Sequence, residues 1–220
     1  MDLTDIFSKF HATRHVAAAA IWLLALGAAG AGEPFRDGFD EAAVGEEPDG
    51  LFVVSGTPVA AEVAGNKVLE VKAEPLEETG ALAGPTVKGA GAVEARFWAE
   101  KKRRSSPRFG VGMHGTSGYR LRVVPARKKL EVVKGDEVVA EADFDWKAGA
   151  WCHLRFEIAS GGEGKVALKG YAWAEGSEAP EKPTVSAEAE GEPATGKASV
   201  WATPYAGLPI YIDDISVRQG

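Results

Sequence analysis

The chain has 220 residues, of which 45% are hydrophobic and 26% charged, with a formal net charge of −7 at pH 7. That length suits one domain or a small pair, and the acidic balance argues against a nucleic-acid partner. A single cysteine, Cys152, excludes an internal disulfide. Beyond residue 31 the histidines are His114 and His153, with no Cys or His pairs at ligand spacing, which argues against zinc.

Residues 1–31 read as an export signal. Lys9, Arg14 and His15 precede an apolar run at 16–29, and Ala29-Gly30-Ala31 suits cleavage after small residues. The run is shorter than the roughly 20 residues a spanning helix needs. The expected location is therefore secreted or periplasmic. The alternative is an uncleaved N-terminal membrane anchor.

Residues 33–220 read as one domain of short strands, punctuated by many of the 27 glycines and 12 prolines. A first strand or turn falls at 35–40, and an acidic loop at 45–50. Strands follow at 51–54, 58–63 and 67–73, with a hairpin turn at Gly65-Asn66. Residues 74–84 read as loop. At 92–100 the pattern alternates, with Val93, Ala95, Phe97 and Ala99 on one side and Glu94, Arg96, Trp98 and Glu100 on the other. A basic loop at 101–107 leads to strands at 108–114, 118–124, 130–133 and 138–144.

The clearest strand is 151–158. Cys152, Leu154, Phe156 and Ile158 share the buried phase; Trp151, His153, Arg155 and Glu157 share the wetter one. In that phase Cys152 reads as an inert buried thiol. A strand at 165–173 follows, then a low-complexity acidic loop at 175–192, then strands at 197–203 and 209–217. In the last, Ile210 and Ile212 occupy one phase, Ile215 and Val217 the other. The slip at Asp213-Asp214 predicts a β-bulge. Turn signals every 8–12 residues, with no long helical repeat, predict an all-β antiparallel sandwich.

Several segments resemble the concanavalin A-like lectin/glucanase superfamily, laminin-G-like and 3-keto-disaccharide-hydrolase-like domains above all. They are Phe35-Arg-Asp-Gly-Phe-Asp40, Gly118-Tyr-Arg-Leu-Arg-Val123, Trp146 to Glu157, and Ile210-Tyr-Ile-Asp-Asp-Ile-Ser-Val217. The resemblance implies a two-sheet jelly roll and a role in glycan binding, glycan cleavage or adhesion. It also implies a structural calcium between the terminal strands, with Asp40, Asp213 and Asp214 as ligands. The Glu-x-Asp-x-x-Glu motif of the superfamily's catalytic glucanases is absent; Glu141-Ala-Asp143-Phe-Asp145 comes nearest and lacks the final Glu.

Charge is unevenly spread. From Arg96 to Lys134 twelve Lys or Arg face only Glu100 and Glu131, which leaves the remainder strongly acidic. A field of that kind attracts anionic partners. Arginine forks match carboxylate and sulfate groups, and aromatic faces stack on sugar rings. The expected ligand-binding residues are Arg96, Trp98, Arg120, Arg122, His153, Arg155 and Trp173. Trp146 and Trp151 read as packing at a sheet edge, and Trp201 as core. The functional expectation is a non-catalytic, exported glycan-binding or adhesion module, with an anionic polysaccharide as its partner. The alternatives are a glycan-active hydrolase or lyase of the same superfamily, and a structural cell-envelope protein.

Overall fold

The computed structural model describes residues 33–73, 77–205 and 207–220. The expected signal segment lies outside them. Among the described residues no helix is long and apolar enough to cross a membrane.

Fifteen strands follow in order: β1 (Phe35–Asp37), β2 (Leu51–Ser55), β3 (Val59–Val63), β4 (Asn66–Val71), β5 (Thr79–Lys88), β6 (Gly91–Ala99), β7 (Arg108–Gly112), β8 (Tyr119–Val124), β9 (Lys129–Lys134), β10 (Glu137–Asp143), β11 (Cys152–Gly162), β12 (Lys165–Ala174), β13 (Val185–Glu190), β14 (Thr195–Thr203) and β15 (Ile210–Gln219). They form two antiparallel sheets packed face to face. The first runs β13-β12-β11-β6-β15-β4-β3, with β1 beside β15; the second runs β10-β9-β8-β7-β14-β5-β2.

Alternation decides which side chains meet between the sheets. Phe97, Leu154, Phe156 and Leu168 come from the first sheet; Phe109, Leu121, Leu130 and Val132 come from the second, and all are at most 1% exposed. Phe97 and Phe109 stack across the sandwich, ring centroids 4.9 Å apart. Trp146 closes onto Phe109 edge-on at 5.8 Å. It therefore belongs to the core and not to a sheet edge. Burying each such aromatic stabilises the fold by roughly 1.5–3 kcal/mol.

Two strands have no counterpart in the sequence pattern. β5 covers part of the stretch read as loop, because Gly80, Gly84 and Pro85 imitate turn signals. Its glycines serve close approach instead. A Cβ on Gly80 would stand 2.2 Å from Cζ3 of Trp201. Gly84 and Pro85 are absorbed in a bulge, since Ala83 pairs with Ala198 and Thr86 with Lys197. β13 lies in the acidic stretch, where alternating Ala and Glu carries little strand signal.

The slip in β15 is a bulge. Asp213 pairs with Arg96, whereas Ser216 pairs with Glu94, so the two residues between them on β15 face one on β6. Asp214 takes the extra place with φ of 52°, a left-handed conformation that a short polar side chain tolerates. The bulge keeps Ile210, Ile212, Ile215 and Val217 all in the core.

Candidate functional site

The outer face of the first sheet gathers most of the sequence-nominated residues. Arg96 and Trp98 project from β6, His153 and Arg155 from β11, Trp173 from β12, and Asp213 and Asp214 from β15. Direct pairing of His153 with both Arg96 and Trp173 brings three strands into one row.

Arg96 is the hub of this face. Its Nη2 donates to Asp213 Oδ2 at 2.6 Å, and its Nε lies 2.9 Å from Asp214 Oδ2. Its Nη1 is 3.9 Å from Glu175 Oε2, and its guanidinium sits 4.5 Å over the Trp151 ring. Burial opposes the Arg96 charge, yet the hydrogen bond to Asp213 and the fields of Asp214, Asp213 and Glu175 outweigh it and raise its pKa. Asp213 is 2% exposed. Burial, then the neighbouring Asp214 charge, lifts its carboxyl above the usual range despite Arg96 and Asn66. Asn66 Nδ2 donates to the same Oδ2 at 2.8 Å.

His153 Nε2 lies 2.7 Å from Glu175 Oε2, and the imidazole stacks on Trp173 with centroids 5.1 Å apart and planes 9° from parallel. The His153 hydrogen bond, helped by the His153 and Arg96 charges, holds Glu175 below the ordinary carboxylate range and outweighs the opposing effect of burial. The Arg155 guanidinium lies 4.3 Å over Tyr171, with Nε 3.2 Å from Glu157 Oε1. These contacts fix long polar side chains before any ligand arrives, which lowers the entropy lost on binding.

Between this row and β1 lies an open trough of about 630 Å³. Arg36, Arg155 and Arg218 line it with Asp37, Glu94 and Asp214, and His153 stands at its wall. The three cations and three carboxylates balance in formal charge, so the trough is dense in hydrogen-bonding groups without an excess of either sign. Glu175 and Trp151, which complete the Arg96 network, were not singled out from sequence as ligand residues. The signal lay in pairing, since β12 returns beside β11 and brings Glu175 to His153.

Trp98 is 3% exposed, with its ring 5.6 Å from Tyr211. It faces outward in phase but is covered, so it offers no stacking platform. Trp201 is likewise buried on an outer face, that of the second sheet. Its neighbours Val200 and Ala202 take the core positions.

Arg120 and Arg122 project from β8 on that second sheet, at the opposite side of the sandwich from Arg96. Arg120 Nη1 lies 3.0 Å from Glu78 Oε2, and Arg122 Nε is 2.7 Å from Glu131 Oε2. Arg127 bridges Glu131 and Glu141, and Lys129 bridges Glu141 and Asp143. Much of the basic stretch is thus neutralised by acidic neighbours from β9, β10 and the loop before β5. The carboxylates of Glu141 and Asp143 are partners of Arg127 and Lys129.

Asp40 comes to the Asp213-Asp214 bulge through Gly38. Asp214 Oδ1, Asp213 Oδ1 and Asp40 Oδ2 lie 3.7, 3.8 and 3.8 Å from the place a Gly38 Cβ would occupy. Among the described residues no group of three His, Cys, Asp or Glu is drawn together tightly enough to hold a metal ion. Carboxylates are calcium's preferred donors, but Asp213 already accepts from Arg96 and Asn66 on Oδ2 and from the Asp214 N–H on Oδ1, so an ion would have to share or displace these donors.

No protein-family model matches the sequence. No curated protein sequence matches it. Solved structures do match. A Bacillus subtilis protein of unknown function with a galectin-like fold is 12% identical, with 84% of this chain and 94% of that chain covered and a TM-score of 0.55. The Crh5 transglycosylase in complex with NAG is 7% identical, with coverages of 85% and 84% and a TM-score of 0.53. A xylan β-1,4-xylosidase from Bacillus halodurans C-125 is 12% identical, with 86% of this chain and 40% of that chain covered and a TM-score of 0.55. At these identities the likeness is one of fold: a two-sheet antiparallel jelly roll, galectin-like as in the first of these structures.

Proposed function

We propose that this protein is an exported, non-catalytic glycan-binding module that holds a neutral saccharide in the trough on the first sheet. The carrying observation is the row Arg96, His153, Arg155 and Trp173, fixed by carboxylate and aromatic contacts beside a trough whose formal charges balance. Planar polar groups suit vicinal hydroxyls, and a balanced site gives a polyanion no advantage. Structures of the same fold include a transglycosylase bound to NAG, which supports a saccharide partner.

A hydrolase of the retaining kind needs two carboxyl groups about 5–5.5 Å apart, one of them held protonated. Glu175 is pushed the other way by His153. Asp213 is buried beneath Arg96 and does not reach the trough. These two groups therefore favour the non-catalytic reading, and the remaining trough carboxylates, Asp37, Glu94 and Asp214, are the ones a sugar-release assay interrogates. Titration of the protein with neutral and uronate-bearing oligosaccharides, with sugar release assayed in the same samples, tests both parts.

A structural calcium would add to this reading only if Asp40, Asp213 and Asp214 drew together across the bulge to hold it. It would tie the β1 end to β15 at the trough's edge. A rise in melting temperature on adding calcium, absent in Asp40→Asn, supports it; equal melting in calcium and in chelator removes it.

A further inference from the structure

We propose that a slot over Gly110, on the outer face of the second sheet, is a second ligand site that takes one carboxylate of a uronate sugar. The slot lies on the far side of the sandwich from the trough. The choice of a sugar ligand rests on the glycan-binding reading; the carboxylate does not.

Gly110 makes the floor. A Cβ there would stand 2.2 Å from Leu121 O and 2.9 Å from Arg122 Cα, so only bare backbone fits. The slot has room for about 20 Å³. A single water needs roughly 10–15 Å³ on the same measure, so a planar carboxylate enters and a sugar ring stays outside.

Arg108, Arg120 and Arg122 line it together with Glu78. Two of the three arginines are already spent. Arg120 is pinned by Glu78, with its Cζ 3.3 Å over the Trp201 ring. Arg122 is held by buried Glu131. Arg108 differs. Its Nε is buried without a hydrogen-bond partner, and among the described residues no carboxylate pairs with it. Its guanidinium lies 5.3 Å over the Tyr205 ring. That Nε has no open surface, so an anion in the slot would meet the guanidinium through its terminal nitrogens, which have no carboxylate partner among the described residues. The fork of an arginine matches the two oxygens of a carboxylate, and with Arg120 and Arg122 balanced by Glu78 and Glu131 the charge of Arg108 is the one left over at the slot. A tetrahedral sulfate is bulkier than a planar carboxylate and suits a slot of about 20 Å³ less well.

The test uses three probes on the whole protein: oligogalacturonate, its methyl ester, and a sulfated oligosaccharide of equal length. Backbone amide shifts report where each binds. The expected result is shifts at Gly110 and Thr203 with oligogalacturonate. Affinity should fall about tenfold or more on esterification and in Arg108→Gln, the loss of one charge-assisted contact. Arg108→Lys keeps the charge without the fork and should fall between. Melting curves of both variants verify folding. Equal binding of the methyl ester, undiminished binding by Arg108→Gln, tighter binding of the sulfated probe, or no binding of any probe each overturns the proposal. Shifts confined to Glu94 and Ser216 also overturn it while leaving the trough reading in place. Shifts at Gly110 without neutral-sugar binding would sustain the slot and end the trough reading.

Discussion

Arg96 Nη2 and Asp213 Oδ2 meet at 2.6 Å across β6 and β15, directly at the bulge that reverses the phase of the last strand. The bulge and the ion pair explain one another. The extra residue turns Asp213 under Arg96 and leaves Asp214 to take the guanidinium from a second side. Asp213→Asn should therefore destabilise the fold by roughly 2–4 kcal/mol, since it leaves a partly buried cation with weaker partners. Urea unfolding of the variant measures the loss. A change under half a kcal/mol would mean that Asp214 and Glu175 suffice.

Glu175 gives a pH signature. Its folded carboxyl is held below the ordinary 4.5, first by the His153 hydrogen bond and then by the His153 and Arg96 charges. The unfolded chain therefore binds the proton more readily, and stability rises with pH through that window. The contribution is present above about pH 4.5 and disappears as pH falls through the lower folded value. Stability curves of the protein and of Glu175→Gln should differ at pH 6 and converge in acid. Parallel curves throughout would refute the assignment.

Cys152 tests the core directly. Burial pushes its thiol up to about 12, and no charged group offsets that. The folded protein should leave a thiol reagent unreacted at pH 8, and one equivalent should react once urea unfolds it. Rapid reaction of the folded protein would place Cys152 outside the core.

Gly80 should resist substitution. In Gly80→Ala the new methyl meets the Trp201 ring at 2.2 Å. The indole must lift from the sheet and push on Arg120 above it, at an expected cost of about 1–3 kcal/mol. Thermal melting and indole fluorescence report the two effects, and an unaltered pair of values would show that the ring moves freely.

Much of the fold could be read from residue alternation, because each sheet buries one face and period two follows. The 151–158 pattern and the Asp213-Asp214 slip both carried their geometry in plain form. β5 did not, because a glycine placed for close approach and a glycine placed for a turn have the same letter. The site was legible in part. Phase put Arg96, His153 and Arg155 on one side, but burial of Trp98 and Trp201 depends on what covers an outer face. The basic stretch misled for a related reason. Composition gives the sign of a charge, whereas Arg122 meets Glu131 only through the pairing of β8 with β9.

The most direct measurement is the map of backbone amide shifts while the protein is titrated with a neutral oligosaccharide and, separately, with a polyanionic one. The account predicts saturable shifts with the neutral sugar at Glu94, His153, Arg155 and Ser216, little change with added salt, and no released sugar. Binding of the polyanion alone, weakening steeply with salt, or shifts that bypass the trough entirely, would contradict it.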